Sequence, residues 1–287
     1  MIDLHIHTTA SDGRLSPAEI AAIAEEKEMT AVAITDHDSI SGNNEAINAA
    51  AGLNVEVVPG VELSVNYRST HFHLLGYYID LKHPGLLEAI ERVQTARAKR
   101  NPQIIERLQQ IGMDITMDEV TEEAGGGQIG RPHIAAVLLR KGYIKEFQQA
   151  FDTFLATGQP AYVDKYRLPA EESIQLILDA GGIPVIAHPG LLDQCLLDNI
   201  SGFFDEMKTA GVRGVEVYYP RHTKPFTSKI RKLIAEKGLI ETGGTDFHEP
   251  GKGLHIGNGF GKLTVPDSCL TMLKEARDGM NRTAQAV

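Results

Sequence analysis

At 287 residues the chain has room for one large domain or two ordinary ones, and 42% hydrophobic with 23% charged residues is a globular composition. A formal net charge of −10 argues against wrapping long nucleic acid, although a small phosphorylated ligand needs only a few local cations. No run approaches a membrane span, no signal-peptide pattern precedes the first strand-like run, and Cys195 and Cys269 fit no disulfide or metal framework. A cytoplasmic setting without a membrane partner is the expectation.

The chain opens on a strand, Asp3-Leu4-His5-Ile6-His7, followed by Ser11-Asp12-Gly13. Alternation puts His5 and His7 on one face, an arrangement that suits a metal ion and also suits a plain surface histidine pair. Ser16-Pro17 starts a helix through Glu28, with Ser16 as N-cap and Pro17 at the first helical position. A buried strand, Ala31 to Thr35, runs into Asp36-His37-Asp38, and a helix is expected over Asn43–Ala51. Val55 to Glu62 is a strand ending in a carboxylate, and Thr70 to Tyr77 alternates as another. Strand and helix recurring in this way predict an α/β domain.

From Glu88 to Tyr162 the character changes. Glu88 to Gln110 reads as a helix carrying Arg97, Lys99 and Arg100. Gly125-Gly126-Gly127 forms a loop, Arg131-Pro132-His133 opens a helix through Leu139, and Phe147 to Leu155 reads as helical. No strand is expected here, so residues 88–162 read as a helical insertion, a lid or substrate domain between barrel parts 1–87 and 163–287. The alternation then resumes, with a helix from Glu171 to Ala180 and strands at Ile183–Ala187, Gly214–Tyr219 and Ile240–Thr245. They run into His188-Pro189-Gly190, Tyr219-Pro220-Arg221-His222 and Asp246-Phe247-His248 respectively.

Seven strands are therefore expected, with polar residues at their C-terminal ends, where parallel α/β barrels place their active sites. The candidates are His5, His7, Asp12, His37, Glu62, His73, His188, Asp246 and His248. Singly, each has a structural reading: His37 as a helix cap, His188 as a turn residue, Asp246 as a turn carboxylate. Together they exceed the roughly four to six donors of one ion and predict a cluster of two or three.

These motifs resemble the polymerase-and-histidinol-phosphatase (PHP) family. The matching segments are DLHIHTTASDG at 3–13, TDHD at 35–38, GVE at 60–62, HLLG at 73–76, AHPG at 187–190 and GTDFH at 244–248. The resemblance implies a distorted (β/α)7 barrel with a helical insertion. It also implies that His5, His7, Glu62 and Asp246 hold one ion, that Glu62 bridges to a second completed by His73 and His188, and that Asp12, His37 and His248 hold a third. Some family members carry His at the position of Asp12, and a carboxylate favours harder ions. Two or three divalent ions are expected, with Mn²⁺ preferred and Zn²⁺ or iron as alternatives. His71 falls outside the motif register and reads as supporting or structural.

The similarity extends to nucleoside 3′,5′-bisphosphate phosphatases, whose relatives also trim short RNA from the 5′ end. It implies hydrolysis of the 3′-phosphate by metal-activated hydroxide, with Glu62 and Asp246 holding the ions and His248 or the third ion assisting the departing oxygen. The partner is then a small phosphorylated nucleotide or a short oligonucleotide, not long nucleic acid. Arg131 and His133, at a helix start where free N–H groups favour an anion, are candidates for a second phosphate. A surface arginine at a helix start is the plainer reading. His222 is either a phosphate contact or a loop histidine. Arg97, Arg100 and Lys165 either read phosphate or form a solvated basic face. A 5′-to-3′ exonuclease, a non-catalytic metal-stabilised interaction module and an amidohydrolase are the competing readings.

Overall fold

The computed structural model of the chain describes residues 1–251 and 253–285. Its strands are β1 (Ile2–Ile6), β2 (Ala31–Ile34), β3 (Glu56–Tyr67), β4 (Thr70–Tyr77), β5 (Leu168–Pro169), β6 (Ile183–Ile186), β7 (Gly214–Tyr218) and β8 (Ile240–Gly243). They form one sheet in the order β1-β2-β3-β4-β6-β7-β8, with the two-residue β5 alongside β3. The fold is α/β with a mixed sheet. Every residue of β1, β2 and β6 is buried, as expected of strands covered on both faces. Beyond the sheet's end strands, Phe247 bridges in parallel to Ile6, and the Asp246 and His7 amides donate to the His5 and Phe247 carbonyls at 2.9 Å.

Parallel pairing fails at β4, which runs antiparallel to both β3 and β6. The reason is local. Only Arg68 and Ser69 join β3 to β4, with Arg68 at φ 55°, whereas a parallel crossover needs roughly a dozen residues. The hairpin pairs Glu62 with Leu75 and Ser64 with His73, and so brings two strand segments bearing ligand candidates together.

Helices follow the strands as local chemistry dictates. Ser16 and Glu19 form a capping box on the helix Pro17–Glu26. The second helix is Ser41–Ala49, two residues ahead of the expected span. The helix Pro84–Gln110 begins earlier than expected because the His83 ring caps it through the Leu86 amide. Among the described residues, 88–162 contain no strand. This segment has an apolar core of its own, built from residues such as Ile104, Leu108, Ile115, Val120, Ile134, Leu138 and Leu155. It includes an unforeseen helix, Met117–Ala124, opened by a Thr116–Glu119 capping box and closed by Gly125. The expected helix at Phe147 is α-helical only to Ala150 and continues as a π-helical turn, Phe151–Leu155. A C-terminal helix, Ser268–Gln285, packs against β8 and β6, and its Cys269, Leu270 and Leu273 join the apolar cluster that includes Ile2, Leu4, Ile183 and Val185. Among the described residues no helix is long and apolar enough to cross a membrane.

Candidate metal centre

The nine candidates at the strand ends meet in one place. Three groups of ligand atoms each lie within 4.8 Å: His5, His7, Glu62 and Asp246; His37, Glu62 and His73; and His7, Asp12, His37 and His248. Glu62 is at the centre and fully buried. Its Oε2 is 3.4 Å from His5 Nε2, 3.2 Å from His7 Nε2 and 2.8 Å from His37 Nδ1. Its Oε1 is 2.9 Å from both His73 Nδ1 and His188 Nε2. Asp246 Oδ1 is 3.1 Å from His7 Nε2, and His248 Nε2 is 3.4 Å from Asp12 Oδ1. His7 and His37 each take part in two groups, a sharing absent from the sequence-based assignment. His71 stands apart, exposed and outside all three groups.

Whether these residues fit metal ions is decided by atoms that crowd one another and yet form no hydrogen bond. His5 Nε2, both ring nitrogens of His7, Asp12 Oδ1, His37 Nδ1 and Glu62 Oε2 are buried and make no hydrogen bond. Orphaned buried polar atoms are costly and rare. Six in one cluster, all imidazole nitrogen or carboxylate oxygen, are the donor set that Mn²⁺, iron or Zn²⁺ takes. The residues fit.

Surrounding groups fix the tautomers. His5 Nδ1–H donates to Glu216 Oε1 at 3.0 Å, leaving Nε2 for the cluster, and the other Glu216 oxygen accepts the His188 amide at 2.6 Å. His248 Nδ1–H donates to the Asp246 carbonyl at 2.9 Å, turning Nε2 towards Asp12. Tyr219 Oη donates to Asp246 Oδ2 at 3.0 Å. Burial works against ionising Glu62, Asp12 and Asp246, but the surrounding histidines overcome it and hold all three carboxyls well below the usual range. Asp38, His188 and Asp246 have φ of 48°, 24° and 54°, so the backbone is strained where the ligand side chains are aimed.

A cationic cluster lies beside this centre. Lys165 Nζ is 2.8 Å from Asp38 Oδ2 and also donates to Ser64 Oγ, while Arg97 pairs with the same Asp38 oxygen. Arg100 is 5% exposed, yet its guanidinium donates to the neutral Asn101 Oδ1, at 2.8 and 3.3 Å, and to no carboxylate among the described residues. Burial, with Arg97, Arg131 and Arg167 adding like charge, pushes its guanidinium down to about 9. Arg131 sits at a helix start, half-buried, and donates to the Leu155 carbonyl at 2.9 Å, the last residue of the π-helical turn. Arg167, which the sequence reading overlooked, pairs with Asp164 at 3.0 Å.

The two remaining histidine candidates are placed differently. His133 is buried, and its Nδ1 accepts the Gly130 amide at 3.0 Å, so that nitrogen caps its own helix. His133 nonetheless lines a cavity of about 270 Å³ with Asp12, His37, Pro132, Phe147 and His248, at the mouth of the centre. His222 is corrected outright. Its Nδ1–H donates to the Val217 carbonyl at 2.9 Å and its Nε2 accepts the Gly190 amide at 3.0 Å. With both nitrogens used, His222 pins the turn after His188 and has none left for a phosphate.

Residues 3–163 match the PHP domain family, a span holding six of the nine ligand candidates. The chain belongs to the PHP domain family. It is 32% identical over 255 residues to a 3′,5′-nucleoside bisphosphate phosphatase of Chromobacterium violaceum, covering 88% of each chain. It is also 32% identical over 273 residues to a 5′-3′ exoribonuclease of Haemophilus influenzae, covering 93% of this chain and 96% of that one. Among solved structures, a Bifidobacterium adolescentis protein provisionally named a metal-dependent phosphoesterase superimposes with a TM-score of 0.85 at 27% identity, covering 96% of both chains.

Several residues that complete the centre of this PHP protein were not among the sequence candidates. Glu216 is the clearest, and its one sequence signal is a carboxylate inside the otherwise apolar strand Gly214-Val215-Glu216-Val217. Asp36 accepts from the Thr8 amide and hydroxyl and from Ser11 Oγ at 2.6–2.7 Å, holding the loop that leads to Asp12. Asp3 does the same for the other rim of this PHP centre, accepting from the Thr245 amide and hydroxyl and the Gly257 amide.

Proposed function

We propose that this PHP-family phosphoesterase removes the 3′-phosphate of a nucleoside 3′,5′-bisphosphate. The observation that carries the reading is the charge imbalance beside the metal centre. Arg97, Arg100, Arg131, Arg167 and Lys165 influence one another electrostatically, while the carboxylates paired with them are Asp38 and Asp164. A dianionic phosphate would supply the missing negative charge, and Arg100, buried against a neutral partner, is the group that gains most.

In this reading His5, His7, Glu62 and Asp246 hold one ion, Glu62 with His73 and His188 a second, and Asp12, His37 and His248 a third, Mn²⁺ being preferred. Divalent ions held there supply Lewis acidity toward the phosphoryl oxygens and a nucleophile at neutral pH. The chain's own residues do the rest. Arg131 and Arg100 bind the remote phosphate, and Lys165 and Arg97, held on Asp38 next to His37, with Lys165 also on Ser64 opposite His73, carry the positive charge towards the metal centre. Binding energy from that end orients the reacting end. His248 lines the mouth cavity, with its side chain 30% exposed, and would assist the departing oxygen either through its Nε2–H, when the third position is empty, or by holding an ion there with Asp12 and His37. Residues 88–162 act as the lid and substrate domain. The sheet is read as a distorted (β/α)7 barrel, which the Ile6–Phe247 bridge supports. The setting is cytoplasmic.

The exoribonuclease name of one 32%-identical relative favours a second reading, in which short RNA is trimmed from its 5′ end. The two separate in one experiment with Mn²⁺ present. Free phosphate and AMP from adenosine 3′,5′-bisphosphate, with a 5′-phosphorylated RNA left intact, supports the phosphatase. Efficient mononucleotide release from the RNA overturns it as the exclusive activity.

A further inference from the structure

We propose that the cavity beneath the glycine loop is a nucleobase site, and that the carboxamide of Gln128 reads the edge of the base. This deepens the nucleotide reading above and rests on it. If metal centre and cationic cluster each take a phosphate, the base needs a third place, adjoining both and free of strong charge.

One cavity meets those conditions. It has a volume of about 530 Å³, within the range of roughly 300–1,000 Å³ for small-ligand pockets, and it is lined by Thr9, Ser39, Ser41, Gln94 and Gln128 among others. Its position ties it to both phosphate sites. Ser39 follows Asp38, the carboxylate shared by Lys165 and Arg97. Gln94 lies one helical turn before Arg97 and donates to the Asp38 carbonyl at 2.9 Å. On the other side Thr9 and Ala10 lead directly to Asp12.

The glycine loop is built to sit there. A Cβ at Gly127 would fall 2.1 Å from the Thr9 carbonyl oxygen, so only glycine lets the loop close on the segment before Asp12. Gly125 and Gly126, at φ 59° and 93°, turn the chain over the cavity.

The chemistry of the wall favours a base over a phosphate. Glu45 is its single charged side chain, and a carboxylate repels phosphate. The neutral amides and hydroxyls match the mixed donors and acceptors of a base edge. Gln128 provides the decisive observation: its Nε2 and Oε1 are both buried without a hydrogen-bond partner. A buried carboxamide with neither end paired is costly, and a base edge offers a donor and an acceptor side by side, as in bidentate amide recognition of adenine. The last glutamine torsion is broad, so the amide turns to the cavity without leaving a rotamer well.

The test uses the full-length protein loaded with Mn²⁺, Gln128→Ala, and the isosteric Gln128→Glu, which accepts but cannot donate. Binding of AMP and of ribose 5-phosphate is measured by calorimetry. Hydrolysis of the four common nucleoside 3′,5′-bisphosphates is compared with that of ribose 3,5-bisphosphate. We expect AMP to bind at least about tenfold more tightly than ribose 5-phosphate, the margin to shrink severalfold in Gln128→Ala, and the order of base preference to change in Gln128→Glu. Equal affinity for AMP and ribose 5-phosphate, or a margin that both variants leave intact, overturns the base site. A Gln128-dependent AMP margin without hydrolysis of any bisphosphate would retain the base site and sink the bisphosphate reading instead.

Discussion

Glu216 and His5 lie 211 positions apart in the chain and meet in a buried hydrogen bond of 3.0 Å between Oε1 and Nδ1–H. Because the other Glu216 oxygen accepts the His188 amide at 2.6 Å, one carboxylate orients ligands proposed for two different ions. A glutamine there can accept from one of these donors and not both. Glu216→Gln should therefore fold but bind metal roughly 10–100-fold more weakly, the usual cost of losing an outer partner of a ligating histidine. Competition titration with a chelating indicator checks it; unchanged affinity would show that Glu216 serves the fold alone.

The orphaned donors predict the response to metal. Elemental analysis of protein purified with Mn²⁺ should give at least two ions per chain, and one or fewer would sink the cluster. Stripping the metal should lower Tm, and restoring it at about a hundred times Kd should recover roughly 2.7 kcal/mol per independent site. Glu62→Gln should keep the fold and lose most activity, because Glu62 touches five histidines and its charge holds them together.

Arg131 and Arg100 should act on affinity rather than on the reacting phosphate. Arg131→Ala and Arg100→Met should each cost a bisphosphate substrate about 1.5–3 kcal/mol in kcat/KM, mostly through KM, with a much smaller loss on a simple aryl phosphate. Equal losses on both substrates would place these arginines at the metal centre or in the fold.

Lys165 supplies a pH dependence whose sign can be worked out. Burial first, then Arg97, brings its ammonium down to about 7, with Asp38 opposing. Unfolded, the lysine holds its proton to about 10.4. Between those values the unfolded chain binds more protons, so this group makes stability rise with pH across that window. Anion binding runs the opposite way, since the ammonium that attracts phosphate is lost as pH rises past about 7. KM for a bisphosphate should therefore climb from about pH 7 to 9 in the wild type and stay flatter in Lys165→Arg, whose guanidinium keeps its charge. Parallel profiles would remove Lys165 from the phosphate site.

His222 gives a check on the corrected assignment. His222→Ala should lower stability by about 1–3 kcal/mol, because the half-buried Gly190 amide and the Val217 carbonyl lose their partner. Urea unfolding measures it, and a variant as stable as the wild type would return His222 to the list of ligand contacts.

What the sequence determined was whatever short-range pattern encodes. Short apolar or alternating runs marked β1, β2, β6, β7 and β8 to within a residue or two, and Ser16 as N-cap with Pro17 marked a helix start. The ligand candidates were legible because a strand end is a local feature, and imidazoles and carboxylates recur there. Tertiary structure decided what depends on partners far away in the chain. The antiparallel setting of β4 reflects a two-residue connection that periodicity does not register. Asp38 reads as one more motif acid until Arg97, 59 positions on, and Lys165 close around it. Arg100 reads as part of a solvated basic face in sequence and Gln128 carries no signal there; only packing shows one buried against a neutral amide and the other with neither end paired. His222 looked available for a ligand until the fold gave both its nitrogens to the backbone. Local propensity fixes where an element begins and ends; desolvation and hydrogen-bond satisfaction belong to pairs that only the folded chain assembles.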